Sequence, residues 1–427
     1  MRILVVGLWH LGCVTATCLA KRHSVVGFDP DPKVVDGLMA GKPPIYEPGL
    51  CEAIGSAQKR GALTFTADLP SAAREADAVC ITFDTPVDEN DEVDVSPVEK
   101  SVASLAPHLR GGQLVLVSSQ VPIGTCRKLQ ASLDSAGAKA QICYTPENLQ
   151  LGTAIDAFMK PNRIVFGVQG EAERAKLEGM FEGIPCERLP MDLESAEMVK
   201  HALNSYFALM ISYSGEISNL CEKTGANAIL VMDALRKERK VSPFAPLMPG
   251  LGFGGGTLAR DLQVLRKVGK ERGIGTPILD SAYNSNRERM GYVKAKLASA
   301  LGSLEGKNVA FFGLTYKPNT DTLRRSLSLD VIAQLSEAGV KVRAYDPAIK
   351  GQIASRKDVL VCQSPLEAAE GADALVIMTA WDEFKSLDYQ TICGKMRQKV
   401  IIDARNALDS NKLGAGIMYY GVGVTHA

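Results

Sequence analysis

The sequence predicts an α/β protein in which two doubly wound, mostly parallel sheets are joined by a central helical region. Three observations predict it. Short apolar runs alternate with helical patterns over residues 3–167. Strand signals then stop over about residues 192–236, where helical spacing takes over. A second strand-first pattern begins after Gly306. The expected divisions are 1–190, 191–298 and 299–427, and 427 residues suit two or three domains.

The first strand, residues 3–6, enters Gly7-Leu8-Trp9-His10-Leu11-Gly12 and then a helix rich in Ala and Cys. It meets a glycine turn without a small-residue cleavage site, so it reads as a buried strand and not a signal segment. A second apolar run, 24–28, ends at Asp29. Further buried strands are expected at 78–83, 113–118, 140–144 and 163–167. The stretch opening at Ser195-Ala196-Glu197 carries apolar residues at helical spacing. A long helix in mid-chain commonly packs on a second subunit or joins two lobes, so a homodimer built through it is expected. In the last third, strands are expected at 307–313, 340–345, 375–377 and 400–403. The two ends share a plan of strand, turn, helix, and a strand ending in an acid before proline: Asp29-Pro30 and Asp346-Pro347. Both lobes therefore read as Rossmann-like.

Composition narrows the function. Hydrophobic residues make up 46% and charged residues 22%, and 48 basic residues balance 48 acidic ones. No net field points to nucleic acid or a membrane surface. No apolar run approaches the roughly 20 residues of a membrane span. Ten scattered cysteines without C-x-x-C pairs suit a reducing compartment, so a cytoplasmic location is expected.

Gly7 and Gly12 are the first and third glycines of a Gly-x-Gly-x-x-Gly turn that follows a strand and opens a helix. Asp29 ends the next strand, where a carboxylate can accept both hydroxyls of an adenosine ribose. That favours NAD over NADP, although Lys33 nearby keeps the second in view. The middle glycine is replaced by Trp9. Close approach of a pyrophosphate normally needs glycine there. The Trp9 ring must point away as a lid, stack on the dinucleotide, or displace it, and loss of the cofactor is the alternative to retention.

The segment from Pro249 to Asp261 reads PGLGFGGGTLARD. It resembles the catalytic loop of the UDP-glucose/GDP-mannose dehydrogenase family, the nucleotide-sugar 6-dehydrogenases, with Thr257 where that family carries cysteine. The resemblance spans nearly the whole chain. Phe83-Asp84-Thr85-Pro86 and Ser118-Ser119-Gln120-Val121-Pro122 are similar to its cofactor loops, which implies cofactor contacts for Thr85 and Gln120. Arg260 and Arg324 fall on the cofactor side by the same resemblance. Thr145-Pro146-Glu147 matches a segment whose carboxylates handle the catalytic water, though the second of them is Leu151 here. Lys200 and Asn204 match a Lys-x-x-x-Asn pair that binds the sugar and stabilises charge on the reacting oxygen. Alone, that pair at i, i+4 would be an ordinary solvated helix face. Pro249, Gly250, Phe253 and Gly254 match positions lining the nucleotide sugar, and the glycine run offers N–H groups to anions. Its bland reading is a flexible loop. Lys317, in Tyr316-Lys317-Pro318, is expected to reach substrate, since basic side chains suit a diphosphate.

The resemblance implies an NAD-dependent oxidoreductase acting on a nucleotide sugar, a UDP-sugar by preference, and no metal. The family's four-electron reaction traps an aldehyde on cysteine, because a thiol ionises near neutrality and is strongly nucleophilic. Thr257 lacks both properties, although Asp261 stands in register to orient a neighbour. Three readings stay open: a two-electron oxidation of a sugar hydroxyl, a four-electron oxidation through an aldehyde hydrate, and a non-catalytic nucleotide-sugar binder. The polar anchors remain while Trp9, Gln120, Leu151, Thr257 and Arg260 differ, a pattern less selective decay would not leave.

Overall fold

A computed structural model describes residues 1–88, 91–147, 149–254 and 256–424; Asn148 and Gly255, both in motifs singled out above, lie outside them. The chain divides into two compact units, Met1–Ala202 and Leu203–Ala427.

The first unit holds strands β1 (Arg2–Val6), β2 (Ser24–Phe28), β3 (Leu63–Thr66), β4 (Ala78–Ile81), β5 (Leu114–Val117), β6 (Gln141–Tyr144), β7 (Arg163–Gly167) and β8 (Glu187–Met191). They form one sheet in the order β3-β2-β1-β4-β5-β6-β7-β8. The pairs are parallel apart from β6 with β7, which meet antiparallel at Tyr144 and Gly167. Successive side chains of a strand face opposite sides. Ile3 and Val5 accordingly join one core cluster, while Leu4 and Val6 join the other. Burying both faces explains why these strands read as continuous apolar runs. Each fully buried Val, Leu or Ile contributes about 1.5–3 kcal/mol.

In that order the sheet reverses its winding between β1 and β4, which leaves a crevice at the carboxyl ends of the strands. Gly7, Asp29, Thr82, Ser118 and Thr145 are the residues immediately after β1, β2, β4, β5 and β6. The folding pattern thus brings the segments that open at these five residues to one rim of the sheet.

Helix Leu193–Thr224 begins in the first unit and continues into the second. It is followed by helices Ala228–Lys237, Thr257–Glu271, Pro277–Arg289 and Tyr292–Leu301. The second sheet contains β9 (Asn308–Phe312), β10 (Lys341–Tyr345), β11 (Val359–Val361), β12 (Ala374–Ile377), β13 (Val400–Asp403) and β14 (Met418–Gly421). Its order, β11-β10-β9-β12-β13-β14, repeats that of the first six strands, and its pairs are parallel. The fold is therefore the expected one: two Rossmann-like lobes with a helical region between them in sequence. Four strands escaped the sequence reading. β3, β11 and β14 are short and only partly buried, and edge strand β8 carries Pro190, which breaks the apolar pattern. Among the described residues no helix is long and apolar enough to cross a membrane.

Candidate active site

The dinucleotide turn keeps its geometry despite Trp9. Gly7 adopts φ +96°, a conformation that favours glycine, and its N–H donates to the Phe28 carbonyl at 2.9 Å. A side chain at Gly12 would collide with the Gly7 carbonyl oxygen, so the third glycine is needed for the helix to pack. Trp9 itself has φ −87° and precedes the helix His10–Leu19, a backbone any residue can adopt. It is 46% exposed, so the ring is not part of the core. Asp29 accepts from the Leu8 N–H at 2.7 Å and the Asp31 N–H at 3.0 Å. A carboxylate offers about four acceptor sites, so this half-buried group retains capacity for ribose hydroxyls. The turn fits a dinucleotide.

The two loops after β4 and β5 are tied together. Thr85 is buried and donates its hydroxyl to the Gln120 carbonyl at 2.7 Å. The Gln120 segment is held from helix Leu193–Thr224: Glu197, wholly buried, accepts from the N–H groups of Gly124 and Cys126. His201 Nε2 lies 2.9 Å from the Val121 carbonyl. Glu197 thus caps the helix Thr125–Ser135, whose start has no side-chain cap of its own. Burial pushes the Glu197 carboxyl up from its ordinary range, partly offset by those two N–H donors.

Glu147 follows β6. Its carboxylate accepts from the Leu149 N–H, and burial raises its pKa above the usual carboxylate value. Lys200, the Leu149 N–H and His10 pull it down, and Asp84 pushes it up. Lys200 is itself 8% exposed. Glu147 also forms one wall of an apolar cavity of about 70 Å³, lined with Leu11, Leu149, Phe158 and Phe181. Leu151, four residues after Glu147, is half-buried and brings no charge to the segment. A second carboxylate, Glu47, was missed by sequence reasoning. It is buried and pairs with His10 Nε2 at 2.9 Å, and it accepts from the N–H groups of Gly152 and Ala154. Its partners lie 37, 105 and 107 residues away, so no local signal exposes it.

In the second unit, Asn204 donates its amide to the wholly buried Asp261. Arg260 Nε lies 3.7 Å from the other Asp261 oxygen. Both come from helix Thr257–Glu271, which Thr257 opens as an exposed residue. The loop before it is built, not slack. Phe253 is buried with Ala208, Leu262 and Ala282, and the Asn286 amide takes both its N–H, at 2.9 Å, and its carbonyl, at 3.1 Å. Arg289 Nε donates to the Gly250 carbonyl at 3.0 Å. A side chain at Gly254 would press on Leu327. Pro249 and Gly250 stay half-buried on the same loop. Lys317 is half-buried and Arg324 exposed, both between β9 and the helix Leu327–Glu337.

The second lobe's acid differs from the first. Asp346 is wholly buried, and a single oxygen accepts from the N–H groups of Leu314 and Thr315, the Thr315 hydroxyl and the Trp381 indole. That carboxylate closes its own turn and is spent on it, so the shared plan does not make a second ribose site.

Residues 1–184 match the NAD binding domain of the UDP-glucose/GDP-mannose dehydrogenase family, residues 194–288 its central domain and residues 310–410 its UDP binding domain. The chain is 32% identical to the UDP-glucose 6-dehydrogenase TuaD of Bacillus subtilis, covering 99% of this chain and 93% of that one. It is 34% identical to the UDP-glucose 6-dehydrogenase of Rhizobium meliloti, covering 99% of each. The solved UDP-glucose dehydrogenase of the archaeon Pyrobaculum islandicum matches it with a TM-score of 0.90 at 31% identity, covering 99% of this chain and 98% of that one. With the NAD turn intact and all three domains matched, the chain belongs to the UDP-glucose/GDP-mannose dehydrogenase family, the NAD-dependent dehydrogenases that act on a CH–OH group.

Proposed function

We propose that this protein oxidises a hydroxyl of a nucleotide sugar, a UDP-sugar by preference, to a carbonyl in a single two-electron step. The observation that carries the reading is Thr257 at the start of its helix, in a loop 249–261 without cysteine. Seven of the ten cysteines are held protonated by burial: the thiols of Cys13, Cys18 and Cys143 are pushed up to about 12 and that of Cys393 to about 11, and those of Cys80, Cys126 and Cys362 are raised as well. A thiol that stays protonated traps no aldehyde.

NAD, when bound, accepts the hydride. Gly7, Trp9, Gly12 and Asp29 form its turn, with Thr85, Gln120, Arg260 and Arg324 as further cofactor contacts. Lys200 and Asn204 polarise the reacting oxygen, with Asp261 fixing the Asn204 amide. Glu147 takes the hydroxyl proton, for which a carboxyl raised by burial is suited. Pro249, Gly250, Phe253 and Gly254 hold the sugar nucleotide, and Lys317 its diphosphate. The three-part division 1–190, 191–298 and 299–427 follows these roles.

A four-electron oxidation to the uronate is the second reading, because the relatives named above are UDP-glucose 6-dehydrogenases. In that case an aldehyde hydrate supplies the second hydride. NADH counted per UDP-glucose consumed separates the two: one supports the proposal and two overturn it. Saturable NAD binding without NADH release from any UDP-sugar would leave a non-catalytic binder.

A homodimer in the cytoplasm completes the proposal. Tyr206, Tyr213 and Leu220 are 59%, 50% and 56% exposed and recur every seven residues on one helix, so they share a face. An apolar stripe of that kind is suited to a second copy.

A further inference from the structure

The geometry points to His10 as a positioning residue for Glu147: through Glu47, its imidazole ties the first turn of the dinucleotide helix to the segment that carries the Glu147 carboxyl. The inference rests on the proton-handling role proposed for Glu147.

His10 is the first residue of helix His10–Leu19 and follows Trp9 directly, so it sits at the cofactor turn. Its Nε2 lies 2.9 Å from Glu47 Oε2, with the two side chains 14% and 1% exposed. A carboxylate can only accept, so Nε2 carries the proton and donates. The same Glu47 oxygen accepts from the Gly152 N–H at 2.8 Å, and its other oxygen accepts from the Ala154 N–H at 2.8 Å. Gly152, at φ +90°, turns the chain from the Glu147 segment into helix Ala154–Met159. One buried carboxylate therefore clamps the turn into that helix at Gly152 and Ala154, and His10 is its only side-chain donor among the contacts described.

When its imidazole is protonated, His10 also reaches Glu147 by charge. The charged groups bearing on the Glu147 carboxyl are Lys200, His10 and Asp84, and His10 acts to favour the ionised form. The imidazole thus has two separable effects: a hydrogen bond that fixes where the segment lies and, in its protonated form, a charge that helps set when Glu147 ionises. Glutamine at position 10 can keep the first without the second, and phenylalanine keeps neither.

The test uses the full chain as wild type, His10→Gln and His10→Phe. Amide hydrogen exchange over 149–159 reports the clamp, and the Glu147 carboxyl titration, followed by carbon-13 NMR and assigned with Glu147→Gln, reports the charge. In His10→Phe, exchange over 149–159 should quicken at least about tenfold while strand β1 is unchanged, since a lost buried hydrogen bond is worth about that factor. In His10→Gln, protection should return to within about threefold of wild type. The Glu147 midpoint should move upward in both variants, which a purely structural role for His10 would not produce. Unaltered exchange in His10→Phe, or one Glu147 midpoint shared by all three proteins, would overturn the inference. If His10→Phe does not fold, the midpoint in His10→Gln still decides. Both measurements are made without turnover; unimpaired activity in Glu147→Gln would instead sink the proton-handling role and leave the clamp standing.

Discussion

Asn204 donates its side-chain amide to Asp261, and that carboxylate is closed off from solvent. The aspartate is thereby a fixture for the amide: it sets which way Asn204 faces and carries no nucleophile of its own. Replacing Asp261 with Ala leaves a buried amide without its acceptor, at a cost of about 1–3 kcal/mol in stability. The misaligned amide should also lower kcat/KM roughly a hundredfold, the scale of losing one oriented donor to a reacting oxygen. Steady-state kinetics beside a denaturant melt reads both. Full activity in Asp261→Ala would remove Asn204 from the chemistry.

Asp29 offers the corresponding test for the cofactor. It holds the Leu8 and Asp31 N–H groups, and the proposal gives its remaining acceptor capacity to ribose hydroxyls. Asp29→Asn keeps an acceptor but loses the charge. NAD should bind at least about tenfold more weakly, because a hydrogen bond to a charged group is worth roughly 1.5–3 kcal/mol. Titration of tryptophan fluorescence measures it, with Trp9 beside the turn and Trp381 as the second reporter. Unchanged affinity would mean that the ribose is held elsewhere.

Much of this was legible in the sequence because it is local. A strand running into Gly7, a helix after it, and Asp29 at the end of the next strand specify a turn through residues within about two dozen positions of one another. The same reading placed the second lobe. It could not show that Asp346, in the matching position, is consumed by Leu314, Thr315 and Trp381, because that depends on how closely β12's following turn packs. Glu47 and Glu197 were invisible for a related reason. Their amide partners lie 105 and 71 residues away for Gly152 and Cys126, and a buried carboxylate looks like any surface glutamate until its donors are in place. Trp9 was legible as a departure, but its exposure was not, since exposure is a property of the packed turn.

Glu147 makes a pH prediction with a definite sign. Burial raises its pKa in the folded protein above the ordinary value of about 4.3. The stability linked to this group is fully present below about pH 4.3 and is lost as pH rises through the raised value. Glu147→Gln, which cannot ionise, should therefore gain stability relative to wild type as pH rises from about 4 to neutrality. Paired denaturant melts across that range check it. If the stability difference is flat, the carboxyl is not protonated more readily in the folded state. In activity, the acidic limb of the wild-type kcat profile should lie above the ordinary carboxylate range.

The apolar stripe on helix Leu193–Thr224 predicts its own effect. Tyr213 sits at the middle of Tyr206, Tyr213 and Leu220. A charge there would be desolvated in any copy-to-copy contact, at a cost of several kcal/mol. Tyr213→Glu should shift the sedimentation coefficient from dimer towards monomer while the far-UV spectrum is retained. A wild type that is monomeric at micromolar concentration would end this proposal at once.

Thr257→Cys probes the reaction itself. The residue is exposed at the N-terminus of its helix, where unsatisfied N–H groups favour negative charge. A thiol placed there gains thiolate character, which a threonine hydroxyl without an adjacent base cannot. On the two-electron reading, wild type releases one NADH and an aldehyde per nucleotide sugar. The variant should capture that aldehyde as a thiohemiacetal, pass a second hydride to NAD, and hold a thioester until water cleaves it. The expected outcome is an NADH yield rising from one to two, with a covalent adduct seen by intact-protein mass spectrometry after a quench. A yield of two already in wild type would favour the aldehyde-hydrate route. A yield of one in both proteins, without adduct, would mean that the sugar's reacting carbon does not come to position 257, and the chemistry would have to be sought around Lys200 and Asn204 alone.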